Sequence, residues 1–433
     1  MTDSAAAANT GLPTAAPPVG TVIKVVAVVA VVAVGSRIVI TSGITVGNVV
    51  GILLLPLWIT VLRRFWGART FAALGILAAI SGIWLREFSS NDHASSIAGL
   101  VGSVVMLTGI VSAVGVLLWA RGLLPIWLIG ALFGLGMLAS SVLNGEGDNA
   151  NPWKFGVGFP VMVIVLALLS RPGLRVAEAV ALLVFAVVAL GTDSRYRFAT
   201  LMITAVLVFW QMLPRFRSRR ASTLTMLAMV AAIAAITYNL ATALIVDGYL
   251  GEQAQSRTIG QLEKSGSLIL GGRPELAATI ALFQERPFGF GAGVQPTLDD
   301  ILVAKTGMSA IGYQPNNGYV ETYLFGGGFE LHSVAGDLWA SFGLPGLAFV
   351  ICAIVLALHM LGHGLANRTA SSVVIFLSIS TLWNILFSPI YGSLPTLVLT
   401  MGLGMVLTSS LGSRQPPDGA PAVSGQRTLS PLP

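Results

Sequence analysis

Apolar runs of about 20 residues recur from Val22 to Leu411, and this recurrence constrains the chain more than any motif. Each run is about the length that crosses a ~30 Å hydrocarbon core as a helix. Lipid offers no partner to a backbone amide, so such a run must satisfy its own hydrogen bonds, as a helix does. Charged residues make up 10% of the chain, against about a quarter in soluble domains. The sequence therefore predicts an all-α integral membrane protein of about 12 transmembrane helices. The spans fall near 22–41, 44–62, 70–85, 96–119, 123–143, 155–170, 176–191, 198–213, 223–246, 344–361, 371–389 and 393–411.

The connections are of two kinds. "RRFWGAR" (63–69), "RPGLR" (171–175) and "PRFRSRR" (214–220) are basic, whereas "REFSSNDH" (86–93) and "NGEGDNANPW" (144–153) are not. Cytoplasmic loops carry the excess of Lys and Arg. With both termini cytoplasmic, 14 of the 24 Lys and Arg lie inside and five lie in short outer segments. That placement accounts for the net charge of +6 without nucleic acid as a partner; the partner it implies is the lipid bilayer. Residues 1–19, rich in Ala and Pro, and 413–433 read as disordered cytoplasmic tails. The first tail has no basic residue and does not read as a cleaved signal peptide. Cys352 is the one cysteine, so no intrachain disulfide forms.

One excursion interrupts the rhythm. Residues 247–343 form a large outer (periplasmic) loop between a bundle of spans 1–9 (20–246) and spans 10–12 (344–412). Its first 90 residues hold nine of the 18 acidic side chains and five basic ones. Two helices can be joined by far less chain. A long loop with Leu, Ile, Phe and Tyr throughout is expected to be ordered and functional.

Four histidines are present, and His332 alone lies in the excursion, beside Glu330 and Asp337. Arg195 and Arg197 sit on an outer hairpin against the charge trend, and Arg273 and Arg286 lie in the loop. Guanidinium groups match phosphate oxygens two at a time. The plainer readings are snorkelling for Arg197 and a salt bridge to Asp193 for Arg195. "PFGFGAG" supplies Gly289, Gly291 and Gly293, which let backbone amides approach a phosphate or a sugar. No strand–helix unit flanks it, so it is not a nucleotide fingerprint. Asp299 and Asp300 are consecutive and do not share a helix face, and no metal site is expected. Glu178, near the inner end of its span, reads as water-exposed.

In this order, "DSRYRF" (193–198), "GGRPELAATIALFQERPFGFGAG" (271–293) and "HSVAGDLWASFGLPG" (332–346) resemble the O-antigen ligase and polymerase superfamily. The resemblance covers roughly 190–350 by motif and the rest by topology. It implies a membrane glycosyltransferase that moves a polyprenyl-pyrophosphate-linked glycan onto a hydroxyl of a glycan or glycolipid acceptor. The site would be on the outer face of a bacterial inner membrane, without nucleotide sugar, metal or other cofactor. By the same resemblance His332, Arg273 and Arg195 are the catalytic candidates. Arg197 and Arg286 have weaker counterparts and join Glu330, Gly289 and Gly291 as candidate pyrophosphate or substrate contacts. Ser333 stands where the family often has Asn, and an aromatic residue common shortly after the loop arginine is absent.

The chemistry fits these residue types. An acceptor oxygen attacks the anomeric carbon while pyrophosphate departs, and cations aimed at the leaving oxygens stabilise the developing charge. A histidine of ordinary pKa near ~6.5 takes the hydroxyl proton. An inverting outcome follows by analogy. The main alternative is a transporter or flippase of lipid-linked sugars, which favours ionisable groups at mid-membrane, and few are present. A peptidoglycan-type polymerase and a membrane scaffold are further alternatives. Ligase against polymerase, sugar and acceptor stay open.

Overall fold

The computed structural model describes residues 19–409 apart from 42, 146–150, 215–221, 250–251 and 266–270. The tails expected at 1–19 and 413–433 lie outside the described residues, Val19 aside, as does nearly all of "PRFRSRR".

Among the described residues the chain is helical, except for an antiparallel ribbon of Val39–Thr41 with Ile44–Thr45. In chain order the helices are α1 (Val19–Ser36), α2 (Val46–Leu53), α3 (Leu55–Val61), α4 (Ala68–Ser89), α5 (Ile97–Ala120), α6 (Ile126–Leu143), α7 (Gly158–Leu169) and α8 (Arg175–Gly191). They continue as α9 (Arg195–Met212), α10 (Thr223–Val246), α11 (Glu252–Ser265), α12 (Glu275–Glu285), α13 (Leu298–Ala310), α14 (Val334–Asn367), α15 (Ser372–Phe387) and α16 (Ile390–Gly404).

Local chemistry sets several boundaries. Ser96, Ser222 and Ser371 accept amide hydrogens of the first turn and cap α5, α10 and α15. Pro56 has no N–H, and its ring opposes the preceding turn. α2 and α3 accordingly meet at 71° where the sequence predicts one span at 44–62. Gly343, at φ 66° and ψ −149°, breaks α14 just before Pro345. The span expected at 344–361 is thus preceded by a helical segment on its loop side.

Among the described residues five helices are long and apolar enough to cross a membrane (α4, α5, α6, α10 and α14), or six if α2 and α3 form one bent span. Four others, at 20–36, 153–169, 372–387 and 390–404, are apolar but shorter. A helix such as α15 rises about 24 Å, less than the ~30 Å core. The protein is multi-pass, but length and composition return fewer spans than the expected 12. Apolar runs in a sequence do not register where a proline, a glycine or a serine cap shortens the helix itself.

The connections bond within two separate groups. At one end Trp66 donates to Val406 at 2.9 Å, and Arg121 and Arg175 donate to the carbonyls of Met405 and Ala370 at 2.8 and 2.9 Å. Glu178, expected to be water-exposed, is 1% exposed and pairs with Arg175 at 2.9 Å. A carboxylate so buried requires that cation. At the other end the long loop meets the 90–96 and 388–390 connections.

α4 packs along α14, α1 on α6, and α15 against both α14 and α16, around one apolar core. A second core lies in the loop, where Leu282 of α12 and Met308 of α13 join Leu324 and Leu331. Trp339 and Ala340 of α14 complete it, so the loop is built onto the bundle.

The "PFGFGAG" turn is the wedge between them. Gly289 and Gly291 have φ of 83° and 117°. A Cβ on Gly289 would lie 2.4 Å from the Trp339 carbonyl oxygen, and one on Gly291 would lie 2.4 Å from the Arg86 amide nitrogen. The amides of Phe290 and Gly291 both donate to the Ala340 carbonyl, at 2.9 and 3.0 Å. Ala292 donates to Gly82, and Ser96 donates to the Gly293 carbonyl. Gly291→Ala should cost at least about 1–3 kcal/mol from backbone strain alone, lowering the melting temperature in detergent and opening the loop to protease. Gly191→Ala, where a Cβ meets nothing within 4 Å, should stay within about 0.5 kcal/mol. Equal melting of the two variants would mean that the wedge does not hold the loop.

Candidate active site

His332 sits at φ 54°, in the left-handed region that side chains rarely adopt. Its neighbours fix that geometry. The Leu331 amide donates to Asp337 Oδ1 at 2.6 Å, and Ser333 Oγ accepts from the Gly336 amide at 2.9 Å as the N-cap of α14. The other Asp337 oxygen accepts from the Ile390 amide at 2.8 Å, so a buried carboxylate ties the His332 turn to the start of α16. His332 Nδ1 lies 2.9 Å from the Glu330 carbonyl. A carbonyl only accepts, so Nδ1 carries the hydrogen and the neutral ring keeps its lone pair on Nε2.

The His332 ring centroid is 6.3 Å from that of Tyr319. The Tyr319 hydroxyl donates to Glu275 Oε1. Burial and then the Glu275 charge push that hydroxyl well above its ordinary pKa, while Arg273 acts on it in the opposite sense. Arg273, Glu275, Tyr319 and His332 therefore form one cluster. Glu275 is 6% exposed, and its Oε2 is buried with no hydrogen-bond partner among the described residues. Arg273 lies just outside the neighbouring helix. α12 begins at Glu275 with Pro274 as its N-cap, and a residue before proline is disfavoured from helical geometry.

The other candidates are placed differently. Arg195 lies between Asp193, at 3.8 Å, and Thr258 Oγ1 of α11, at 3.2 Å. One helical turn along α11, Gln261 lies against Gly272, the neighbour of Arg273, so α11 links these two arginines. Glu330 is exposed and within electrostatic range of Asp337 and Tyr391. Arg197 donates to the Trp153 carbonyl at 3.3 Å and lines a separate cavity within the bundle.

Arg286 and the glycines serve the attachment of the loop. Arg286 donates to Asp92 at 2.7 Å and to Ser89 Oγ at 2.9 Å, and lies over the Phe290 ring. His93 bridges Asp92 and Asp300, each at 2.9 Å, and Asp300 also completes a capping box with Thr297. The amides of Gly289 and Gly291 are taken by protein carbonyls. Among the described residues no group of three or more metal-type side chains occurs.

A multi-pass helical membrane protein that packs a half-buried arginine, a carboxylate, a tyrosine and a histidine into one long loop has the parts for polar group transfer at a membrane surface. Residues 179–351 match the family described as O-antigen ligase. The match covers 173 of the 433 residues. The matched segment runs from α8 into α14 and encloses the whole cluster around His332. No protein of curated function and no solved structure matches the chain.

The Arg286 contact has a pH signature. Hydrogen bonding from Arg286, followed by that from His93, holds the Asp92 carboxyl at about 2. A carboxylate with a depressed folded value contributes fully above its unfolded value near 3.8 and loses that contribution as pH falls through about 2. Hydrogen exchange over 86–96 should therefore remain slow to about pH 3, and Arg286→Gln should move its onset up toward the ordinary carboxylate range. An unchanged profile in the variant would remove Arg286 as the cause.

Proposed function

We propose that this chain transfers a glycan from a polyprenyl-pyrophosphate carrier to an acceptor hydroxyl, with the long loop on the outer face of a bacterial plasma membrane. In this reading the chain has 12 crossings and both termini are cytoplasmic, in accord with the 14 inner Lys and Arg. The observation that carries the proposal is the convergence of Arg273, Glu275, Tyr319 and His332, whose lone pair is on Nε2.

The acceptor oxygen forms a bond to the anomeric carbon, and the bond from that carbon to the pyrophosphate oxygen breaks with both electrons on the leaving group. The acceptor proton passes to His332 Nε2. Arg273, with Arg195 one helical turn away along α11, stabilises the charge that builds on the pyrophosphate. Glu275 and Tyr319 hold the cluster together, Tyr319 staying protonated because its hydroxyl is pushed up. The reading is of inverting transfer with no metal or other cofactor in the step.

The test is the lipid-linked glycan pool of a deletion strain complemented with variants. Arg273→Ala and His332→Ala should each lower transfer by about 10²–10⁴ with normal insertion, and lipid-linked glycan should accumulate. Accumulated single repeat units mean a polymerase, and long chains mean a ligase. A pool that is unchanged, or collected on the cytoplasmic leaflet, overturns transfer in favour of transport. Tyr319→Phe removes one hydrogen bond to a charged group, worth about 1.5–3 kcal/mol, and should slow transfer roughly 10–100-fold without changing the amount of inserted protein. Full activity in that variant would remove Tyr319 from the machinery.

A further inference from the structure

α12 carries apolar side chains on two faces. Ala278 and Leu282 turn into the core of the loop. Leu276, Ile280, Phe283 and Pro287 follow one another at steps of four, three and four residues, which puts them together on the opposite face. Of these Ile280, Phe283 and Pro287 are exposed, and so is Phe288 next to them, Ile280 by 57% and Phe288 by 66%. A helix packed by one face and bathed in water on the other carries polar residues on the wet side. Large apolar side chains grouped there instead mark a surface that meets protein or lipid.

The neighbours of this face fix its depth. α4 and α14 run antiparallel, with Gly75 against Phe349, Gly82 against Phe342 and Leu85 against Gly343. Phe288 stands at the last of these levels, since a Cβ on Gly343 would lie 2.5 Å from its carbonyl oxygen. Leu344, where the apolar run at 344–361 begins, is exposed, as are Ile351 and Val355 farther along. On α4, Trp84 is exposed beside Leu85 and stacks on Phe88 with ring centroids 5.9 Å apart. Aromatic rings gather where hydrocarbon meets headgroups. The Phe283 ring is 5.3 Å from that of Trp339, about one helical turn before Gly343. The apolar face of α12 thus descends to the level at which the bundle itself enters hydrocarbon.

We propose that the face formed by Ile280, Phe283 and Phe288 docks on the lipid leaflet on the loop side of the membrane, with its side chains among the upper acyl chains. The partner is lipid and not a second protein because the face ends level with Leu344 and Trp84, on the lipid boundary of the bundle. Helices with one apolar face free bury it about 5–10 Å into the boundary of headgroups and acyl chains. Here the other face is already engaged by the loop core, so docking ties that core to the membrane as well as to α14. The consequence for chemistry rests on the transfer reading. Arg273 and Glu275 immediately precede this face, so a docked α12 holds them at a set height above the leaflet.

The experiment uses the full chain in nanodiscs, in a Cys352→Ala background, with nitroxide labels placed one at a time at Ile280→Cys, Phe283→Cys and Phe288→Cys. Asp299→Cys, on an exposed acidic position of α13, is the control. Power-saturation spectroscopy compares collisions with oxygen, which concentrates in lipid, against collisions with a water-soluble nickel chelate. The three face labels should favour oxygen over nickel several-fold more than the Asp299→Cys label does, at an unchanged melting temperature. Face labels that meet nickel as freely as the control place the face in water. Labels shielded from both place it under protein, whether another segment of this chain or a second copy, and either result overturns the proposal. Should Phe283→Cys melt early, Ile280→Cys and Phe288→Cys are read by the same criteria. No glycan is present in the measurement, so failure of the transfer reading leaves its outcome intact and removes only the role given to the height of Arg273.

Discussion

The seating of residues 289–293 between α4, α5 and α14 is the contact on which the loop chemistry depends. Its glycines bring backbone against backbone, so that Ala340 and Gly82 accept hydrogen bonds directly from the turn. Around that seat the apolar core of the loop is continuous with Trp339 and Ala340 of α14. Arg286 adds a polar fastening to Asp92 and Ser89 beside it. A chain of this length closing on itself through solvent would leave His332 and Arg273 free to move apart. Fixed at 289–293, it presents them from one side of the same core.

Charge is distributed accordingly. Arg286 is bound to carboxylate and hydroxyl partners and belongs to the fastening. Arg195 and Arg273 share α11 as a neighbour, and Arg197 lines the bundle cavity. Four arginines that look alike as sequence therefore occupy three settings in the folded chain. Tyr319 illustrates the same dependence, since its proton is held by a buried carboxylate contributed by another helix.

The membrane class, the helical fold and the long loop follow from the apolar runs and the break in them, because lipid imposes helices wherever the runs occur. The motifs around Arg273 and His332 were legible because their order around the loop resembles a known family, which residues 179–351 match. Other features carried no such signal. Nothing in "PFGFGAG" says whether its amides serve a ligand or Ala340. Glu275 and Tyr319 are 44 residues apart and meet only once the loop folds. Pro56 signals a bend, but the 71° angle depends on what α2 and α3 pack against. Ile280 and Phe283 read as the core of an ordered loop, because which side of a helix is left exposed is a property of the folded chain.

Asp337 places the His332 turn under the control of a distant part of the chain. One oxygen of its carboxylate holds Leu331, and the other holds Ile390, which lies 39 residues beyond the end of the ligase-family segment at 351. The loop can be translated and even packed on α4 while one half of that carboxylate still lacks its partner. The histidine acquires its final support only when α16, the last described helix, has been made and docked. Assembly is thus ordered in time during biosynthesis, with the His332 turn completed after the bundle around it, and a nascent chain halted before α16 holds Arg195 and Arg273 without the finished turn.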